Sequence, residues 1–67
     1  MDINKNIKRM RENAGYTQTE LAKNAGVSQA AIAFFERGTK MPSVAALCGI
    51  ADTLHCSVDE LIGRKIS

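Results

Sequence analysis

The sequence predicts an all-α fold, a compact bundle of five short helices, and three observations carry that prediction. Apolar residues recur at spacings of three and four, which places them along one face of a helix. Capping residues stand where helices would begin, and two of them, Thr17 and Ser57, are followed three places later by Glu20 and Glu60, the spacing of a capping box. No segment shows the apolar–polar alternation of a half-buried strand.

The chain has 67 residues, which is one domain at most. A chain of this size buries only about 60% of its unfolded surface, so the core is small. An apolar fraction of 45% argues against disorder. Net charge is only +2, compatible with nucleic acid without arguing for it. The charge is unevenly placed: Lys5, Lys8, Arg9 and Arg11 crowd the front, while Asp52, Asp59 and Glu60 lie towards the rear. The first ten residues hold no apolar run suited to a signal peptide. The longest mostly apolar run, Val44 to Ala51, is eight residues and too short for a bilayer. A cytoplasmic protein is expected, with Cys48 and Cys56 as thiols.

The first helix is expected from Asp2 to Ala14, with Ile3, Ile7 and Met10 as its stripe, Asp2 as its cap and Gly15 as its stop. Arg11 falls beside that stripe and calls for a carboxylate partner. The second helix opens at Thr17 and turns Leu21, Ala22 and Ala25 inward, with Tyr16 packed between the first two helices. Gly26 permits a sharp reversal, after which Ser28 caps a third helix running to Arg37 and ending at Gly38. Its inner face carries Ile32 and Phe35, with Ala31 beside them. The opposite face carries Ala30, Ala33, Phe34 and Arg37, with Gln29 at its leading edge. Glu36 lies near the core side and is the natural partner of Arg11. After a loop from Thr39 to Pro42, Ser43 caps a fourth helix with a stripe of Val44, Leu47, Ile50, Ala51 and Leu54. Gly49 within it costs about 1 kcal/mol against alanine and reads as a weak point. Ser57 opens a short last helix with Val58, Leu61 and Ile62 inward, and Gly63 ends it. Residues 1–63 thus form one domain, and 64–67 a short tail.

These residues together resemble the phage-repressor and Cro-like, or Xre, family of helix-turn-helix regulators, whose fold is lambda-repressor-like. The resemblance runs from Ile7 through Ile62. It rests on Arg11, Gly15-x-Thr17-Gln18-x-x-Leu21-Ala22, Gly26-Val27-Ser28-Gln29 and Ile32-x-x-Phe35-Glu36-Arg37-Gly38. Pro42-Ser43, Leu47-x-x-Ile50-Ala51-x-x-Leu54 and Ser57-x-Asp59-x-Leu61 continue it. It implies a DNA-binding transcriptional regulator, a repressor, with the third helix in the major groove and the second across the backbone. Gln18 would bond a phosphate together with free N–H groups at its helix start, and Arg37, Thr39 and Lys40 would hold the opposite phosphate wall. Gln29 would contact bases or phosphate. Arg11 and Glu36 would form a buried pair locking the first helix to the third. The resemblance also implies a homodimer on a palindromic operator, with Met41, Cys48, Ile62 and Ile66 as candidates for its surface.

Phe34 admits three readings. It packs with Ala30 and Ala33 on thymine methyls of an A·T-rich operator, or the same apolar face docks a partner protein, or the ring folds back against a neighbour. Other chemistry is poorly supported. His55, Cys48 and Cys56 lack the number and spacing of zinc ligands, and a helix through both cysteines would part them by roughly 12 Å. Asp59 and Glu60 fit helix capping better than acid–base catalysis. No nucleophile elbow, phosphate loop or metalloprotease motif is present, so neither an enzyme nor a cofactor is expected.

Overall fold

The computed structural model describes residues 2–63, which form five α-helices and no strand. α1 spans Ile3–Asn13, α2 Gln18–Ala25, α3 Gln29–Arg37, α4 Val44–Leu54 and α5 Val58–Ile62. The tail expected at 64–67, Ile66 included, lies outside the described residues.

Hydroxyl caps start four of the helices. The Thr17 hydroxyl accepts from the Glu20 N–H at 3.1 Å, and the Glu20 carboxylate accepts from the Thr17 N–H at 2.9 Å. These contacts, the backbone one foremost, hold the Glu20 carboxyl below its ordinary pKa. Ser57 and Glu60 repeat the arrangement at α5, while Ser28 and Ser43 each accept one N–H from the turn they precede. Asp2 departs from expectation: its side chain makes no capping hydrogen bond. Its backbone ψ is 58°, against 154° to 167° at the other four caps, so the carboxylate is not turned back over the first turn.

Each helix contributes one fully buried side chain to a shared centre: Ile7, Leu21, Ile32, Ile50 and Leu61. Burying one such residue is worth about 1.5–3 kcal/mol. α1 packs on α3 and α5, α2 on α3 and α4, and α4 on α5. Asn6 of α1 donates to the Leu61 carbonyl at 3.0 Å, tying the first helix to the last.

Gly49 is not the weak point that its helix propensity suggests. A β-carbon there would fall on the carbonyl oxygen of Ala25, the last residue of α2. Glycine allows α4 to touch the backbone of α2 just before the reversal at Gly26, and this contact fixes where α2 ends.

The surface expected for dimerisation is divided. Met41 and Cys48 are exposed, as is Val44, while Ile62 is half-buried against the core. Among the described residues no helix is long and apolar enough to cross a membrane.

Candidate nucleic-acid interface

α2 and α3 meet through Gly26, Val27 and Ser28, with Gly26 left-handed at φ 75°. Ile32 and Phe35 fix the roll of α3 by burying its inner face. The other face then carries Gln29, Ala30 and Arg37 exposed, with Ala33 and Phe34 half-buried.

The amino end of that face is braced from below by a chain of hydrogen bonds. Gln29 Nε2 donates to Gln18 Oε1 at 2.8 Å, and Gln18 Nε2 donates to Glu36 Oε1 at 3.0 Å. Glu36 also accepts from Arg11, at 2.6 Å from Nε to Oε2 and 3.2 Å from the terminal nitrogen to Oε1. A further Arg11 nitrogen donates to the Tyr16 carbonyl at 2.7 Å. The two charged side chains are 11% and 4% exposed, so every donor matters here: a buried charge without a partner costs several kcal/mol. The hydrogen bond to Glu36 raises the Arg11 pKa further, with burial opposing it. Gln18, expected to bond a phosphate together with free N–H groups at its helix start, has its carbonyl and one N–H engaged within the protein, leaving the second N–H and the free backbone N–H groups at the start of α2.

The carboxyl end of the face is built differently. Phe34 and Arg37 are three apart, so both project from one side of the helix, and the Arg37 guanidinium carbon lies 5.1 Å from the ring centroid. Gly38 is left-handed at φ 78° and turns the chain back. The Thr39 N–H and hydroxyl then both donate to the Phe34 carbonyl, at 3.1 and 3.2 Å. That return brings the Lys40 ammonium to 4.9 Å from the same ring. Of the three readings open to Phe34, folding against neighbours describes the observed side chain, and the neighbours are two cations. Each such contact is worth about 0.5–1 kcal/mol at an exposed site.

An open cleft of about 360 Å³ lies between the two ends, lined by Lys8, Arg11, Gln18, Ala33, Glu36 and Arg37. Lys8 stood out from sequence only as one of the cations crowding the front of the chain. Its position three residues before Arg11, hence on the same side of α1, is the signal that places it at this cleft. Of the residues singled out from sequence, Gln18, Gln29, Arg11 and Glu36 are joined in one network, and Phe34, Arg37, Thr39 and Lys40 gather in a second. Ala30 and Ala33 lie on the helix between them.

Two short helices around a left-handed glycine, the second presenting an outer face with an amide at one end and a cation at the other, define a helix-turn-helix. A helix-turn-helix family model, HTH_3, matches residues 7–61, and the chain belongs to that family. It is 42% identical over 55 residues to YazB, an HTH-type transcriptional regulator of Bacillus subtilis strain 168, covering 82% of this chain and 80% of that one. It is 34% identical over 64 residues to RstR, the cryptic phage CTXphi transcriptional repressor of Vibrio cholerae, covering 96% of this chain but only 57% of RstR. Among solved structures it is similar to SinR of Bacillus subtilis, the master regulator for biofilm formation, in complex with DNA. There the TM-score is 0.85 at 34% identity, covering 90% of this chain and 97% of that one.

Proposed function

We propose that this protein is a DNA-binding transcriptional regulator, a repressor, that inserts α3 into the major groove of an A·T-rich operator. The observation that carries the reading is the outer face of α3, which offers base-edge and phosphate chemistry at separate ends of one exposed helix. Gln29 would read a base edge, held in direction by Gln18. Ala30, Ala33 and the edge of the Phe34 ring would pack on thymine methyls. Gln18 and Lys8 on one side, with Arg37, Thr39 and Lys40 on the other, would hold the phosphate walls. Its similarity to regulators and to a DNA complex of the same fold supports this assignment.

A single face of this size reads few base pairs, so the protein would act as a homodimer on a palindrome, with half-sites about 34 Å apart. Met41, Val44 and Cys48 supply exposed surface for that contact. The rival reading, a module docking a partner protein through Ala30, Ala33 and Phe34, has less support. The Phe34 ring is half-buried with two cations over it, which leaves little apolar area to dock.

Selection of bound sequences from a random duplex pool tests the proposal. An A·T-rich inverted repeat is expected, with its halves one helical turn apart. A pool that stays random after repeated selection would remove the function, and a single unrepeated half-site would remove the dimer.

A further inference from the structure

We propose that Phe34 is a positioning residue for the DNA backbone: its ring holds Arg37 and Lys40 as one two-cation clamp, whatever the neighbouring bases. The inference rests on the DNA-binding reading and assigns Phe34 a role separate from methyl contact. Both cations lie within about 5 Å of one ring centroid, so they are no more than about 10 Å apart whichever faces they occupy. Successive phosphates of one strand advance about 3.4 Å along the helix axis. The pair is therefore spaced to take the same phosphate or close neighbours on one strand.

Two independent pieces of local structure enforce the arrangement. Helical spacing places Arg37 beside Phe34, and the return at Gly38, fastened by Thr39 on the Phe34 carbonyl, places Lys40. Neither cation has a carboxylate within salt-bridge distance among the described residues. The negative face of an aromatic ring is thus a counter-field the two like charges share at close range, beside the carbonyl end of α3. Both side chains carry much rotamer freedom, and holding them before DNA arrives lowers the ordering cost of binding.

Phe34→Leu keeps an apolar surface for thymine methyls but removes the ring, and Phe34→Tyr keeps the ring. Binding of the full-length protein to an operator duplex and to a mixed-sequence duplex is measured between about 50 and 200 mM salt. The Phe34→Leu variant is expected to bind both duplexes about three- to ten-fold more weakly, with Phe34→Tyr near wild type. In an Arg37→Gln/Lys40→Gln background, Phe34→Leu should have no further effect. In the free protein, proton NMR should show ring-current shifts on the Arg37 δ and Lys40 ε methylenes, absent in Phe34→Leu. A loss confined to the operator duplex, a loss undiminished in the double-cation background, or missing ring-current shifts in wild type would each overturn the clamp. If the shifts are present but wild type binds neither duplex, the DNA-binding reading itself fails and takes the clamp with it.

Discussion

The two ends of α3, a helix of nine residues, are organised by opposite means. At the amino end, Gln29 is the outermost member of a hydrogen-bonded chain running through Gln18 and Glu36 to Arg11, all of it anchored in a nearly buried ion pair. At the carboxyl end, Phe34, Arg37 and Lys40 form a cluster with no hydrogen bond among their side chains, held by a ring face and a folded-back loop. Hydrogen bonds are directional, so the amino end suits the reading of one base edge. A cation over a ring is constrained in distance more than in direction, which suits a phosphate that itself carries no sequence information. On the proposed function, one short helix would separate what it reads from what it grips.

The largest effect should come from cutting the amino-end chain at its base. Glu36→Gln removes the charge opposite Arg11, and unfolding free energy should fall by about 3–5 kcal/mol in a urea titration. Equal stability in that variant would mean that the brace does not matter. Replacing both partners, Arg11→Met with Glu36→Leu, should recover much of the loss, since no charge is then stranded.

Gly49→Ala comes next. Helix propensity alone predicts a gain of about 1 kcal/mol. The added methyl would strike the Ala25 carbonyl, and forced overpacking costs about 1–3 kcal/mol. A higher melting temperature would refute the close approach of α4 to α2.

Gln29→Ala should leave stability within about 0.5 kcal/mol, because the residue is exposed. It should also relax discrimination at one base pair by about 1–3 kcal/mol in competition binding. A uniform loss across all sequences would shift Gln29 from base reading to backbone contact and erase the contrast between the ends.

Loss of the Glu20 cap should have the smallest effect. The folded pKa of Glu20 is depressed, so its contribution to stability is present above the unfolded value and is lost as pH falls through the lower folded one. Amide exchange at the start of α2 should quicken below the ordinary carboxylate range more in the wild type than in Glu20→Ala, which lacks the titrating group. Equal quickening in both proteins would argue against the cap.

The helices and most of their inward residues were legible in the sequence because periodicity and caps are local signals, but Val44, expected on the apolar stripe of α4, opens that helix 78% exposed. Arg11 beside an apolar stripe and Glu36 on the core side of α3 even identified each other as partners, because an unpaired charge at such positions is too costly. What stayed hidden depends on how segments meet once the chain has folded. Nothing near Gly49 in sequence announces the Ala25 carbonyl, and nothing near Gln18 announces that its amide is engaged on both sides. Lys40 lands over Phe34 only because Gly38 and Thr39 fold the chain back, a tertiary detail no apolar pattern encodes. Asp2 failed as a cap for a comparable reason: residue type suits the role, but the local ψ does not.

The central claim is that the outer face of α3 meets DNA, and backbone amide shifts recorded while a short operator duplex is titrated into the protein test it most directly. The account predicts perturbations concentrated at Gln18, Gln29 to Phe34, Arg37, Thr39 and Lys40. Perturbations centred instead on Met41, Val44 and Cys48, with α3 unmoved, would contradict it.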